Sequence, residues 1–314
     1  METITSRANP LAVHMKKLGA QRSYREQCGE ILCDGIKLLE EAITSNIEIT
    51  AVLTSSNTLP PLPKETRIYA APRELIDSLS PLKNAQDTLF ACKTPPPCST
   101  TDMSGTHILL DNIQDPGNLG TIIRAANAFS IKSVIMTGTC ADLWNPKTIR
   151  SSMGSVFKQR THQLSISELE ELRNDGIKLV GTATAEDKVP LVAALYRGQF
   201  AVDGYQLPVD GGLVAGENRK LTAESEQFSA ASKGITKSIF DICLKNAIIA
   251  IGNEGRGLSE AVMSLCDETI TIPISPNCES LNAATAAAII MWEATRKQDG
   301  CNNALGVLTG SAGF

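Results

Sequence analysis

From residue 107 onward, the hydrophobic positions fall into short, fully apolar runs separated by glycine-bearing loops and helical patterns. The runs at 108–110, 133–136, 178–182 and 247–251 read as buried strands, and 119–129 has apolar residues on one helical face. Such alternation of strand and helix predicts an α/β fold, with a parallel sheet covered by helices. Residues 107–300 are therefore expected to form one α/β domain.

The first 92 residues predict a smaller α/β unit of their own. A short apolar run at 31–33 is followed by a helical pattern at 36–42, and two further strands are expected at 47–53 and 67–70. Residues 93–106, KTPPPCSTTDMSGT, have the composition of a linker, so the domain boundary is placed there. We expect residues 203–235 to be an inserted surface loop and 301–314 a frayed tail.

The distribution of charged residues adds a candidate binding surface only near the N-terminus. The net charge is −5, so the chain has no overall basic surplus for nucleic acid. Residues 1–25, however, hold five cations and one acid, and a basic face there could contact phosphates. The candidate residues are Arg7, Lys16, Lys17, Arg22 and Arg25. From charge alone, a solvated N-terminal arm and helix is the favoured interpretation.

Cysteine usage argues against a metal site and for a reducing compartment. Nine cysteines are scattered without a CxxC pair, and the chain has three histidines, so a zinc site is not expected. The N-terminus lacks the apolar core of a secretory signal, and no apolar stretch approaches the roughly 20 residues that span a bilayer. We therefore expect a cytoplasmic protein with reduced thiols and no membrane contact.

Three segments carry candidate chemistry, and the first runs from Asp111 to Arg124. A strand there ends in a turn, and a helix is expected to begin near Asn118. Six residues correspond to about 600° of helix, or about 240° after a full turn, so Asn118 and Arg124 do not share one helix face. If both act at one site, Asn118 must act from the loop or the cap and not from the helix wall. The alternative is a simple N-cap at Asn118 and a surface or ion-paired Arg124.

The second and third segments lie near the C-terminus. In Ile249–Leu258 an apolar strand runs into glycines 252, 255 and 257, with Glu254 among them; the spacing matches neither the dinucleotide fingerprint nor the phosphate loop. In the third, Ser280 and Asn282 precede an alanine-rich helix that could cross another backbone closely or form a subunit interface. A ligand-free glycine turn and plain helix capping remain the alternatives.

Together these segments resemble the SpoU (TrmH) family of the SPOUT methyltransferases. The likeness rests on three signatures in the family's order, with a further family-like segment at 146–157. The matching residues are Asn112, Asp115, Pro116, Asn118, Gly120 and Arg124; then Gly252, Glu254, Gly255 and Gly257; then Ile272, Pro273, Ser280, Leu281 and Asn282. Residues 1–92 resemble more loosely the family's L30e-like RNA-binding domain, through Ser6, Arg7, Pro10, Leu11, Arg25, Glu26, Gly35, Lys37 and Leu38.

The resemblance implies transfer of a methyl group from S-adenosylmethionine to a ribose 2′-hydroxyl in RNA. It implies a C-terminal domain with a deep trefoil knot and a homodimer whose sites are completed by the partner. The expected cofactor-binding residues are Gly252, Asn253, Ile272, Ile274, Leu281 and Asn282, and the expected catalytic residues are Arg124, Asn118, Glu254, Ser280 and Asn282. Arg150 joins the RNA-binding candidates.

The family assigns activation of the hydroxyl to the arginine matching Arg124. A guanidinium has a pKa above roughly 12 and donates only, whereas a base should have a pKa near the working pH. Our hypothesis is therefore that Arg124 fixes an RNA phosphate and stabilises negative charge on the 2′-oxygen, while the proton goes to a phosphate oxygen or to water.

Large-subunit ribosomal RNA is the first expected substrate, and transfer RNA the second. Three other interpretations remain open at this stage. A non-catalytic RNA-binding protein would have damaged signatures, and a metabolic enzyme of doubly wound fold would usually carry a nucleotide fingerprint. An antibiotic-resistance methyltransferase of the same superfamily would differ only in its target nucleotide.

Overall fold

The computed structural model describes residues 2–97, 103–183, 237–239, 244–275, 277–278 and 280–306, with side chains of the last segment to Arg296. The expected insertion at 203–235 lies outside these residues, as do 98–102 of the expected linker and 307–314 of the expected tail. The last helix continues to Gly306, so the tail predicted from residue 301 was placed too early.

The N-terminal part forms a five-stranded mixed sheet. In spatial order it contains β1 (Glu2–Thr3), β4 (Arg67–Ala70), β3 (Ile49–Thr54), β5 (Thr88–Lys93) and β2 (Glu30–Asp34). The first three strands are parallel, and β5 lies antiparallel between β3 and β2. The strands expected at 31–33, 47–53 and 67–70 are present, whereas β1 and β5 were missed.

Four helices cover this sheet: α1 (Pro10–Ala20), α2 (Arg22–Cys28), α3 (Ile36–Thr44) and α4 (Arg73–Leu79). The side chain of Asn9 accepts the Leu11 amide at 2.9 Å and starts α1, where Pro10 needs no partner. Buried residues of α1 and α4 form an apolar cluster on one face of the sheet. Residues of α3 pack on the other face.

The C-terminal part forms a seven-stranded sheet that is parallel throughout. Its order is β10 (Lys237–Ser238), β12 (Glu268–Thr271), β9 (Lys178–Thr182), β11 (Ala247–Ile251), β6 (His107–Asp111), β7 (Ser133–Thr137) and β8 (Thr161–Gln163). This confirms the predicted α/β class. Strands β6, β7 and β11 are buried at every position, as expected for strands covered on both faces.

The helices of this part are α5 (Pro116–Ala128), α6 (Pro146–Ser152), α7 (Ile166–Asn174), α8 (Glu260–Leu265) and α9 (Ala283–Gly306). A short 3₁₀ turn, Ser155–Phe157, follows α6. Helix α5 packs against both α6 and α9. Gly120 makes the first contact possible, because a Cβ there would lie 1.9 Å from Ser151 Oγ and 2.3 Å from Thr148 O.

The two sheets share one continuous core. A single apolar cluster includes Ile31 and Phe90 of the first sheet together with Ile108 and Ile149 of the second part. Ion pairs also join the parts: Arg25 with Asp142, Lys158 with Glu41, and Arg150 with Asp34 at 3.4 Å. Within the part of the chain that the structure describes, no helix is both long and apolar enough to cross a bilayer.

The close α5–α6 contact generates a stability prediction. Gly120→Ala should lower the free energy of unfolding by about 1–3 kcal/mol, because the added methyl overlaps the backbone of α6. Gly255→Ala is the control: its Cβ would find Asn253 Oδ1 at 3.8 Å and should change stability by less than about 1 kcal/mol. Urea unfolding measures both, and equal effects would contradict the packing argument.

Candidate functional site

The candidate site lies at the carboxyl edge of the seven-stranded sheet. Because the strands are parallel, the segments that leave β6, β9, β11 and β12 all emerge at this edge. Open α/β sheets present their ligand-binding groups there. The three segments singled out in the sequence follow β6, β11 and β12, so the topology alone brings them together.

The glycine loop after β11 is tightly folded on itself. The backbone groups of Asn253 and Gly257 exchange two hydrogen bonds of 2.9 Å each. A Cβ on Gly252 would lie 2.1 Å from the Gly257 carbonyl carbon and 2.3 Å from Leu258 N. Gly257 has φ +66°, a conformation that favours glycine. Two of the three glycines are therefore required by the loop itself.

The amide of Asn118 joins the three segments. Its Nδ2 donates to Glu254 Oε1, and its Oδ1 accepts from Asn282 Nδ2 at 3.0 Å. With one neighbour on each side, the amide has a single satisfied orientation. The structure thus brings the side chains of Asn118, Glu254 and Asn282 into direct contact at one place.

Helix capping was assigned to the wrong residue in the first segment. Asp115 begins α5 by accepting the Asn118 amide on Oδ1 at 2.9 Å, so the helix starts at Pro116 and Asn118 lies in its first turn. In the third segment the capping interpretation is correct for Asn282. Its Oδ1 accepts the amides of Ala284 at 2.9 Å and Thr285 at 3.3 Å, while its Nδ2 contacts Asn118.

A cavity opens beside these contacts, between the glycine loop, the ends of β9 and β12, and α9. Its wall includes Gly252, Asn253, Ile272, Ile274 and Leu281 of the expected cofactor set, together with Glu254 and Ser280 of the expected catalytic set. Asn282 is not in this wall but contacts Asn118 at the rim. Sequence reasoning missed Thr182, Ala183, Ile251, Ile270, Thr271, Ala283, Ala286 and Ile290. Their only signal is a place at the end of an apolar strand or on the alanine-rich helix.

The chemistry of the cavity suits an organic ligand. Isoleucine and alanine side chains form much of the wall, and the glycine loop contributes main-chain groups, with a carboxylate at Glu254. Apolar walls with a few polar groups are typical of small-molecule sites. Among the described residues, no cluster of His, Cys, Asp or Glu could hold a metal ion.

Arg124 does not line this cavity within its own chain, although it was expected to act beside the cofactor. Its side chain is exposed on α5, and none of the described residues forms a hydrogen bond or ion pair with it. The neighbouring helix α9 presents Ile289 and Trp292, which are 36% and 56% exposed, and Trp292 contacts the ring of Phe129 at the end of α5 with centroids 5.9 Å apart. Arg124 therefore belongs to an exposed helix face with an apolar neighbour.

Comparison with known proteins identifies the family to which this chain belongs. The profile described as the SpoU rRNA Methylase family matches residues 105–202 and 216–292. The chain belongs to the SpoU rRNA methylase family. A relative from Bacillus subtilis (strain 168), 23S rRNA (guanosine(2553)-2′-O)-methyltransferase RlmP, is 28% identical over 295 residues, which are 93% of this chain and 98% of the relative.

Two further matches, one of sequence and one of structure, come from Streptomyces viridochromogenes. Its 23S rRNA (uridine(2479)-2′-O)-methyltransferase is 31% identical over 192 residues, 61% of this chain and 52% of that one. The crystal structure of the SpoU methyltransferase AviRb in complex with the cofactor AdoMet has a TM-score of 0.66 and 25% identity. It covers 92% of this chain and 98% of that chain.

The basic residues expected to bind RNA differ in their surroundings. Arg7, Lys16, Lys17 and Arg22 are exposed, with Lys17 Nζ 5.3 Å from the Tyr24 ring centroid. The expectation that Arg25 contacts RNA is wrong, because its side chain is only 5% exposed. It donates to Leu18 O at 2.7 Å and forms an ion pair with Asp142. Its guanidinium joins the two parts of this SpoU protein, so Arg25 leaves the proposed RNA-binding set.

Arg150 is partly exposed and has protein partners of its own. It lies 3.4 Å from the Asp34 carboxylate and donates to Asn84 O at 3.3 Å. Both partners belong to the N-terminal part, whereas Arg150 is on α6 of the catalytic part. Any contact of Arg150 with RNA would therefore occur at the junction of the two parts.

The N-cap of α5 generates a pH prediction. The hydrogen bond from Lys147 Nζ to Asp115 Oδ2, 2.7 Å long, lowers the pKa of the Asp115 carboxyl below 3.8. Asp115→Asn keeps a capping oxygen but loses this half-exposed ion pair, so it should lower the free energy of unfolding at pH 7 by at most about 1 kcal/mol.

This difference should have a defined pH window. A lowered folded pKa stabilises the protein above the unfolded value of about 4, and the contribution is lost as the pH falls through the folded pKa. Unfolding of both proteins between pH 7 and pH 3 measures it. In a Lys147→Met background the effect of Asp115→Asn should be clearly smaller, because the hydrogen bond from Lys147 is the largest cause of the lowered pKa. An effect equally large in both backgrounds would refute the ion pair as its main source.

Proposed function

We propose that this protein transfers a methyl group from S-adenosylmethionine to a ribose 2′-hydroxyl of large-subunit ribosomal RNA. The observation that carries the proposal is the contact of Asn118 with Glu254 and Asn282 at the rim of the cavity, since it joins all three family signatures at one place. Transfer RNA remains the second substrate class. A cytoplasmic location is part of the same proposal.

The cavity fits the proposed cofactor by its chemistry. The isoleucines at 270, 272 and 290 offer an apolar slot for an adenine ring, and the main chain near Gly252 and Leu281 offers polar groups. The Glu254 carboxylate favours a ligand with positive charge, which the sulfonium carries. S-adenosylmethionine would supply an activated methyl group with an excellent leaving group. We include the deep trefoil knot of the family's fold in this proposal.

Around the cofactor, the chain's own residues would hold and orient the reactants. Glu254 and Asn282 fix the Asn118 amide, and Ser280 lies in the cavity wall beside Leu281. Holding a hydroxyl in line with the methyl carbon supplies much of the rate of such a displacement. Arg124 would bind an RNA phosphate and stabilise charge on the 2′-oxygen, because a guanidinium donates only.

A homodimer would bring Arg124 to the cavity. Within one chain, Arg124 lies outside the cavity wall and is exposed, and the neighbouring helix α9 exposes the apolar side chains of Ile289 and Trp292. Exposed residues of this size are typical of protein interfaces. Two copies that pack through α5 and α9 would cover Trp292, and Arg124 of each chain could then serve the partner's cavity.

The N-terminal part would select the RNA. We retain the L30e-like fold as part of the proposal, with Arg7, Lys16, Lys17 and Arg22 as exposed contacts and Arg150 at the junction of the two parts. RNA specificity usually depends on loops and shape more than on duplex base edges. A part held rigidly beside the cavity would read that shape.

Removing the guanidinium tests the catalytic role. Arg124→Ala should lower the turnover of ribose methylation by about 100-fold or more at saturating RNA, the scale at which one charge-stabilising donor acts. Binding of S-adenosylmethionine, measured by calorimetry, should be unchanged, because Arg124 is outside the cavity of its own chain. Near-normal turnover would show that the assigned role is wrong.

Mixed dimers test the shared site. Ala286→Trp should fill the cavity and inactivate its own chain, because Ala286 lines the wall. Co-expressed with Arg124→Ala, it should restore about a quarter of normal activity, since half of randomly assorted dimers would be mixed, each with one complete site. Each variant alone is the inactive control. If the mixture is also inactive, Arg124 does not act across the dimer.

A further inference from the structure

Asp111 is a buried carboxylate that the proposed mechanism does not use. It is the last residue of β6, at the carboxyl edge of the sheet, and is 1% exposed. Its Oδ2 accepts the Ser259 backbone amide at 2.6 Å, and its Oδ1 accepts Asn112 Nδ2 at 2.6 Å. Both oxygens of a buried charge are thus used by donors from different parts of the chain.

Asn112 extends these contacts to two more loops. Its φ is +58°, in the left-handed region that asparagine tolerates better than most residues. Its Oδ1 accepts the Thr139 amide at 2.8 Å, and its carbonyl accepts Asn253 Nδ2 at 3.0 Å. The dipeptide Asp111–Asn112 therefore connects the loops after β6, β7 and β11.

The loop after β11 is held by this dipeptide at both of its ends. Asn253, at its start, bonds to Asn112, and Ser259, at its end, bonds to Asp111. Between them, the paired backbone groups of Asn253 and Gly257 close the loop. Gly252, Asn253, Glu254 and Gly257 all line the cavity, so the shape of this wall depends on where the ends are fixed.

The chemistry of the contacts requires an acid at position 111. Ser259 N and Asn112 Nδ2 both donate, and a carboxylate accepts both. An asparagine at 111 has one acceptor oxygen and one amide group, so one of the two donors would face another donor. A buried donor left unsatisfied in this way is unfavourable.

We propose that Asp111 is a positioning residue for the cofactor, acting through the 252–259 loop. The inference rests on the proposed function, because it takes S-adenosylmethionine as the occupant of the cavity. Asp111 itself does not line the cavity. It fixes the loop in the shape that the cofactor requires, and Asn112 holds the other end.

Calorimetry of the full-length protein tests this role. Asp111→Asn should weaken S-adenosylmethionine binding by about tenfold or more, the scale of one unsatisfied buried donor. In methylation assays the KM for the cofactor should rise by a similar factor, while kcat at saturating cofactor changes by less. A purely structural role would lower the active fraction and kcat without changing the dissociation constant.

Exchanging the residues at positions 111 and 112 should rescue cofactor binding. Asn112→Asp alone places two carboxylates side by side and should also weaken binding. The double variant Asp111→Asn with Asn112→Asp restores every pairing: the new amide donates to the new carboxylate, and each residue keeps an oxygen for Ser259 N or Thr139 N. We expect the cofactor dissociation constant to return to within about threefold of the wild type, as the pairings are restored.

Asp267, whose side chain is 35% exposed, offers a control carboxylate on the opposite edge of the sheet. Its Oδ2 accepts the Leu179 amide at 2.9 Å, and its Oδ1 pairs with Arg173 at 3.1 Å, yet it is not part of the cavity wall. Asp267→Asn should lower the melting temperature and leave the cofactor dissociation constant unchanged.

The outcomes separate the two proposals. If the wild type does not bind S-adenosylmethionine, the proposed function fails and this inference fails with it. If the wild type binds and Asp111→Asn binds equally well, only the inference is overturned. A double variant as weak as Asp111→Asn would also overturn it, because the donor and acceptor pairing would then not be what fixes the loop.

Discussion

The site depends on one geometric constraint: every strand of the seven-stranded sheet ends at the same edge. Asn118, Glu254 and Asn282 are far apart in the chain, yet their side chains meet because the segments that carry them leave β6, β11 and β12 at that edge. The Asn118 amide then fixes the arrangement, since a reversed amide would set its donor against the Asn282 donor.

Helix α5 contributes residues to two different surfaces because each residue is rotated about the helix axis relative to the one before it. Its first turn carries Asn118 to the cavity rim, and about 240° of rotation brings Arg124 to a different, exposed side. Gly120 lets α5 pack closely against α6, so a rotation of α5 that brought Arg124 inward would break this contact. One chain can therefore present both groups only to different neighbours, which is the physical basis for proposing a shared site.

Much of the catalytic part was predictable from local sequence. Its central strands β6, β7 and β11 are buried on both faces, so each contains an apolar run that is easily recognised in the sequence. The sequence pattern failed at residues whose function depends on a contact that the local sequence does not show. Arg25 counted as a free cation, but its partner Asp142 is 117 positions away, and Asp115 took the cap predicted for Asn118.

The structural reasons for the glycines in the loop after β11 could also not be predicted from the local sequence. Three glycines indicated backbone freedom, but the structure gives different reasons for two of them. Gly257 has a positive φ, whereas Gly252 is required because another stretch of backbone lies against it. A close approach of this kind depends on how the loop folds back, and no count of glycines along the chain contains that information.

The junction of the two parts explains why their orientation matters for the proposed substrate. Apolar residues of both sheets form one core, and burial of that area provides the stability of the junction. The ion pairs across it contribute little energy where they are exposed, as in Lys158 with Glu41. A buried pair such as Arg25 with Asp142 instead penalises any displacement that would separate its charges. The apolar core therefore holds the parts together, and the buried pair fixes their relative orientation. An RNA bound to the N-terminal part, as proposed, would meet the cavity of the C-terminal part in a defined geometry.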